Sequence, residues 1–150
     1  MKRRMLIICT GNSCRSQMAE GLVRYLSKGT MDVFSAGTHP SRVHPMAIRV
    51  MSEIGVDISH HTSKSINKFI GEEFDYVITV CDYAKAACPI FPGARNQQHI
   101  PFEDPVTFHG DEEQQLERFR QIRDQIKNRM EEFLKLNSPS KSDTSPKFFP

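Results

Sequence analysis

Cys9-Thr10-Gly11-Asn12-Ser13-Cys14-Arg15-Ser16 joins the apolar run Met5-Leu6-Ile7-Ile8 to a stretch in which Met18, Leu22, Val23 and Leu26 recur at helical spacing. A short, continuous apolar run suits a strand covered on both faces, as in a parallel sheet. The loop after it then lies at the carboxyl edge of a strand and opens a helix, where backbone N–H groups and the positive end of the helix dipole face a crevice. Gly11 and Asn12 tolerate the positive φ that a tight anion nest needs, and Ser13, Arg15 and Ser16 add donors. The run from Thr10 through Gly11, Asn12, Ser13, Cys14 and Arg15 to Ser16 is therefore the candidate anion-binding loop.

Cys9 leads this loop, six positions before Arg15. The Arg fork binds two oxygens at once and keeps its charge, so it would hold an oxyanion against the Cys9 sulfur. A positive surrounding of this kind brings a thiol from about 8.5 into the range of about 3.5–7.5, which makes Cys9 the candidate nucleophile. The Cys and Arg spacing alone is weak evidence, because a Cys at a strand end is ordinarily packing material.

Outward from the loop, Lys28-Gly29 stops the first helix and Asp32-Val33-Phe34-Ser35-Ala36-Gly37 alternates as a second strand. Pro45 suits a first helical position, and Met46, Ile48, Val50, Met51 and Ile54 carry a second helix to Gly55, expected to pack on the sheet. Residues 56 to 64 read as loop, with a short helix near Ser65 to Phe69. His60 and His61 lack a second ligand pair at matching spacing and read as polar loop residues, not metal ligands. The β-branched and aromatic run Phe74 to Val80 is a third strand, and Gln97 to Ile100 a short fourth. Asp111-Glu112-Glu113 opens a long helix whose stripe of Leu116, Phe119, Ile122, Ile126, Met130, Phe133 and Leu134 is core. The pattern predicts an α/β fold of three layers, a four-stranded parallel sheet flanked by helices with the anion loop after its first strand.

The chain of 150 residues reads as a single domain over 1–136 and a disordered polar tail over 137–150. A formal charge of +2 with both signs mixed argues against a nucleic-acid or membrane partner. The basic start Met1-Lys2-Arg3-Arg4 precedes too short an apolar run for a signal peptide, so a cytoplasmic protein is expected, and a monomer. Four cysteines in a reducing compartment suggest redox or nucleophilic use, and their spacings fit no zinc pattern.

Two further features carry chemistry. Cys81 ends the third strand at the same sheet edge as the anion loop, and Cys88 follows seven residues on. If residues 82 to 87 make a helical turn, the two thiols bond only after that segment unwinds, because Cα atoms more than about 7 Å apart cannot be bridged. Pro89, Pro92 and Gly93 mark a loop there. Asp104-Pro105 is ordinary turn chemistry by itself, yet beside an anion loop Asp104 becomes a candidate proton donor.

The strings C-T-G-N-S-C-R-S-Q-M-A-E-G, from Cys9, and C-D-x-A-x-x-x-C-P-x-F-P, from Cys81, together with Asp104-Pro105, resemble the low-molecular-weight protein tyrosine phosphatase superfamily and, within it, the thioredoxin-coupled arsenate reductases. The resemblance spans residues 5 to 136. It implies that Cys9 attacks arsenate, that Asp104 protonates the departing oxygen, and that electrons pass through a transient Cys9–Cys81 disulfide to a redox-active Cys81–Cys88 disulfide, which thioredoxin reduces. No metal or organic cofactor is implied, and Cys14 matches a cysteine outside the relay. Glu20, Ser35 and Asn12 resemble a cation site in some of these reductases, but Lys64 stands where they carry an acid; its ammonium is expected to replace the potassium ion. Three alternatives remain open. They are a tyrosine phosphatase, although Val106 replaces its usual aromatic after Asp-Pro; a reductase served by glutathione and glutaredoxin; and a non-enzymatic redox module, against which Asp104 speaks.

Overall fold

Arg3–Cys9 forms the first strand, β1, and every residue of it from Met5 to Cys9 is buried. Met5, Ile7 and Cys9 enter one apolar cluster and Leu6 and Ile8 another, so β1 is the middle of a sheet covered on both faces. The computed structural model describes residues 2–81 and 90–137. Within them the chain runs β1, α1 (Arg15–Leu26), β2 (Met31–Gly37), α2 (Pro45–Glu53), β3 (Tyr76–Thr79), β4 (Gln97–His99) and α3 (Glu112–Leu136). All strands are parallel, in the order β2-β1-β3-β4. The α/β fold with a four-stranded parallel sheet flanked by helices is as the sequence predicts.

The carboxyl ends of β1 and β3 are side by side at the centre of the sheet, Ile8 opposite Thr79. The central strands of a parallel sheet thus bring the loop after Cys9 and the segment after Cys81 to one edge. Asp111 starts α3 with a reciprocal capping box to Gln114, and Glu112 and Glu113 lie in its positive first turn. Six of the seven predicted stripe residues are buried and Leu134 is half-buried. Asn137 caps the far end, its carbonyl accepting from Arg3, whose guanidinium also reaches the Tyr76 hydroxyl. Of the tail predicted over 137–150, Asn137 is thus a buried cap of α3, and residues 138–150 lie outside the described residues.

Two local expectations are corrected. The helix α2 packs against α3 and α1 more than on the strands, because those two longer helices already occupy that sheet face. Its tether to α3 is polar: Arg123 donates to the Val50 carbonyl and to Glu53, which Arg120 also holds. The short helix expected near Ser65 to Phe69 is present as a single 3-10 turn, Ile66–Phe69, capped by Ser65. The third strand is shorter than its β-branched run, because Phe74 pairs only in an isolated bridge with Ala94.

The loop expected at Pro92 and Gly93 is tied to the sheet. Phe91 is buried, and its ring meets Phe74 edge-on at 5.6 Å in a cluster with Phe34 and Phe69 on the far sheet face. The Phe74 amide donates to the Gly93 carbonyl. Residues 91 to 95 are thus fixed to the sheet, and each aromatic pair there adds about 0.5–1.5 kcal/mol beyond its buried area. Any rearrangement that brings Cys81 to Cys88 is bounded by this anchor. Among the described residues, no helix is long and apolar enough to cross a membrane.

Candidate active site

The anion loop holds its shape through Asn12, which is fully buried and has φ 47°. Of the two loop residues that tolerate positive φ, Gly11 and Asn12, it is Asn12 that adopts it. Its side chain makes the conformation affordable by using every donor and acceptor it has. Nδ2 donates to Ser16 Oγ at 2.8 Å and Ser35 Oγ at 2.9 Å, and Oδ1 accepts from Gln17 Nε2 and the Lys64 amide, both at 2.9 Å. Gly37, at the end of β2, gives the loop room. A Cβ there would stand 2.5 Å from the Thr10 carbonyl oxygen and 2.9 Å from the Asn12 nitrogen, closer than real contacts allow.

Below Asn12 the network continues into charge. Ser35 donates to Glu20 at 2.5 Å, and the buried Glu20 carboxylate pairs with Arg24 at 2.8 Å and lies 3.5 Å from His61. The Lys64 ammonium donates to the Thr62 carbonyl at 2.6 Å. Burial lowers the Lys64 pKa and the charge of Glu20 opposes that shift, which puts the ammonium in the field of this carboxylate. His61 is part of the same network, its Nδ1 meeting Gln17 Oε1 at 2.9 Å. Among the described residues no group of three or more His, Cys, Asp or Glu side chains forms a metal-binding cluster.

Above the loop is a cavity of about 370 Å³ whose walls include Cys9, Arg15 and Asp104. Of the predicted anion-binding set, Thr10, Gly11, Ser13, Cys14 and Arg15 line it, whereas Asn12 and Ser16 are fully buried and support it from beneath. Arg15 is the first residue of α1 and is 6% exposed. Its Nη1 donates to the Phe102 carbonyl at 3.3 Å and its Nη2 lies 3.5 Å from Asp104 Oδ2, while its buried Nε has no partner among the described residues. A buried guanidinium with an unused donor is suited to an oxyanion. Asp104 caps the 3-10 turn Pro105–Thr107 by accepting from the Val106 amide at 3.0 Å, which leaves its second oxygen for the Arg15 side of the cavity.

The thiols differ in their surroundings. Cys14 is buried at the start of α1, and desolvation pushes its pKa up to about 12, so it stays protonated and inert at neutral pH. Cys9 is 2% exposed and lines the cavity. Cys81 is 3% exposed, with its sulfur 3.8 Å from the Ile8 carbonyl, and is not a wall of the cavity. Cys88 lies outside the described residues. The cavity therefore brings together Cys9, Arg15 and Asp104, with Cys81 behind it at the end of the neighbouring strand.

Sequence reasoning missed three cavity residues, Ser41, Arg42 and His44, all from the loop between β2 and α2. Backbone bonds bind that loop to the anion loop, from the Ser41 amide to the Gly11 carbonyl and from the His44 amide to the Ser13 carbonyl, each at 3.1 Å. No local signal announces them, because the contact is made across the sheet edge. Val106 also lines the cavity, as a half-exposed aliphatic side chain.

Comparison with known proteins agrees with this geometry. A model of the family described as low molecular weight phosphotyrosine protein phosphatase matches residues 4–142. An arsenate reductase of Oceanobacillus iheyensis is 42% identical over 134 residues, covering 89% of this chain and 96% of its own. A solved arsenate reductase in the phosphate binding state superimposes with a TM-score of 0.76 at 38% identity, over 89% of this chain and 97% of its own. A thioredoxin-dependent arsenate reductase of Corynebacterium glutamicum gives a TM-score of 0.67 at 28% identity, over 89% of this chain and 61% of its own. The strand-loop-helix around Cys9 and the agreement along nearly the whole sheet lead to one conclusion: this chain belongs to the low molecular weight phosphotyrosine protein phosphatase family, among relatives that are arsenate reductases.

Proposed function

We propose that the chain reduces arsenate to arsenite with electrons from its own thiols and is restored by thioredoxin in the cytoplasm. The observation that carries this reading is a cavity shared by Cys9, Arg15 and Asp104 with a second buried thiol, Cys81, at the end of the adjoining strand.

The oxyanion binds to the N–H groups of the loop and to Arg15. The Cys9 thiolate attacks arsenic; one As–O bond breaks, and Asp104 gives its proton to the leaving oxygen, which departs as water. Arg15 offsets the charge on the remaining oxygens. The Cys81 thiolate then attacks the Cys9 sulfur. The As–S bonding pair stays on arsenic, arsenic(V) becomes arsenic(III), and arsenite leaves behind a Cys9–Cys81 disulfide. Cys88 attacks Cys81, Cys9 departs as thiolate, and a Cys81–Cys88 disulfide remains for the thioredoxin dithiol to reduce. The Cys81 sulfur lies 3.8 Å from the Ile8 carbonyl, past the end of the strand beside that of Cys9, and Cys88 lies outside the described residues. The thioredoxin-dependent relative supports thioredoxin over glutathione as donor. Lys64 supplies positive charge near Glu20 beneath the loop.

A tyrosine phosphatase reading keeps the first step and lets water resolve the adduct. The aliphatic Val106 at the cavity wall weakens it, since an aromatic ester gains most from an aromatic neighbour. Steady-state assays with arsenate, thioredoxin, thioredoxin reductase and NADPH, run beside glutathione with glutaredoxin, test the proposal. Turnover is expected with thioredoxin and is lost in Cys9→Ser, Cys81→Ser and Cys88→Ser. Normal cycling by Cys88→Ser would refute the relay.

A further inference from the structure

The His44 imidazole has two nitrogens in different surroundings. Pro45 opens α2 without an N–H, so the Met46 amide is the first donor in need of a cap, and it donates to His44 Nδ1 at 3.1 Å. A nitrogen that accepts a hydrogen bond carries no proton, so the neutral ring bears its hydrogen on Nε2. Among the described residues Nε2 has no hydrogen-bond partner, and the side chain is a wall of the cavity shared by Cys9, Arg15 and Asp104.

The ring is also held in place. It packs on Phe119 of α3 with centroids 5.0 Å apart, and its own backbone amide donates to the Ser13 carbonyl of the anion loop at 3.1 Å. A cap alone does not call for histidine, because Asn, Asp, Ser and Thr do that work with shorter side chains. What histidine adds is a second polar atom, Nε2, on a residue that lines the cavity.

We propose that His44 is a substrate-binding residue, donating Nε2–H to a tetrahedral oxyanion seated in the Cys9–Arg15 loop. This rests on the oxyanion reading of the cavity given above. His44 keeps the neutral form that the cap requires, since burial first and Arg42 second lower its pKa while Asp104 opposes them. The element packed on its other side, α3, presents the uncharged Phe119. Arsenate and phosphate share the recognised chemistry, a compact polyanion with several acceptor oxygens.

The test is calorimetric titration of the reduced chain with inorganic phosphate, on wild type and His44→Asn, alongside the arsenate KM and kcat. Asparagine retains an acceptor for the Met46 amide, but its shorter side chain stops short of the position of Nε2 and leaves no donor there. The expected result is an unchanged Tm, a phosphate Kd raised about tenfold or more, as for loss of one hydrogen bond to a charged group, and a matching rise in arsenate KM. A His44→Asn chain that binds phosphate as wild type does overturns the proposal. Should the variant lose stability, the wild-type imidazole decides alone: its 15N-detected Nε2–H resonance must shift on addition of phosphate, and an unmoved resonance at saturation refutes the assignment. A chain that reduces no arsenate yet shows this dependence keeps the proposal and sinks the reductase. Turnover with a His44→Asn chain unaffected in KM and Kd does the reverse, and a wild-type chain that binds no phosphate overturns both.

Discussion

Asn12 and Gly37 set the shape of the anion loop from opposite sides, one by filling its hydrogen bonds and the other by having no side chain. Asn12 stood out in the sequence because Asn is one of the few residues that tolerate positive φ. The part played by Gly37 was not legible, since a glycine at a strand end reads as punctuation and its close neighbours, Thr10 and Asn12, are more than twenty residues away in the chain. The geometry gives a definite expectation. In Gly37→Ala the new methyl meets backbone on both sides, which cannot swing away as a side chain would, so the loop must shift. Overpacking of this kind costs about 1–3 kcal/mol. The variant should melt below wild type and bind inorganic phosphate at least about tenfold more weakly in titration; wild-type phosphate affinity would mean that the loop does not depend on this clearance. Arg15 was legible as a candidate anion ligand from its place, at the first turn of a helix after a buried strand.

At the scale of elements, legibility followed periodicity. β1, α1 and α3 were read to within a few residues because a buried strand and two amphipathic helices repeat their pattern over many positions. The far sheet face was not, because Phe34, Phe69, Phe74 and Phe91 come from four separate places and form a cluster that no single stretch encodes. Loop composition at Pro89, Pro92 and Gly93 hid the anchoring role of Phe91. Two connections and the short strand β4 carry the histidines that govern pH behaviour. His44 caps α2, His61 supports α1 through Gln17, and His99 in β4 meets Thr79 at 2.7 Å. Burial lowers the pKa of all three from the ordinary 6.5. In the unfolded chain they protonate near 6.5, in the folded chain only at lower pH, so falling pH favours the unfolded state. Their contribution is fully present above about pH 6.5 and is lost as the pH drops through the folded values. Urea melts at pH 7.5 and pH 5.5 should therefore give a lower midpoint at pH 5.5 with an unchanged slope, and equal or higher stability at pH 5.5 would contradict the burial of these rings.

For the whole molecule, the sheet order shows how distant cysteines can serve the one reaction proposed. β1 and β3 are neighbours and parallel, so residues 9 and 81, far apart in sequence, finish at the same edge. The sequence allowed this much because two strands with chemistry at their carboxyl ends imply a shared crevice in a parallel sheet. It did not indicate that Cys81 rests against the Ile8 carbonyl, outside the cavity wall, a detail set by where β3 stops. In the proposed reaction the thiols of the chain itself are the source of electrons. That claim is tested most directly by a single turnover without added reductant. Fully reduced protein is mixed with excess arsenate, arsenite is counted per chain, and the disulfide formed is mapped by mass spectrometry. The account predicts one arsenite per chain and a Cys81–Cys88 bond, with Cys88→Ser halting at Cys9–Cys81 after the same single arsenite; no arsenite, or arsenite formed with Cys81 still a thiol, would contradict it.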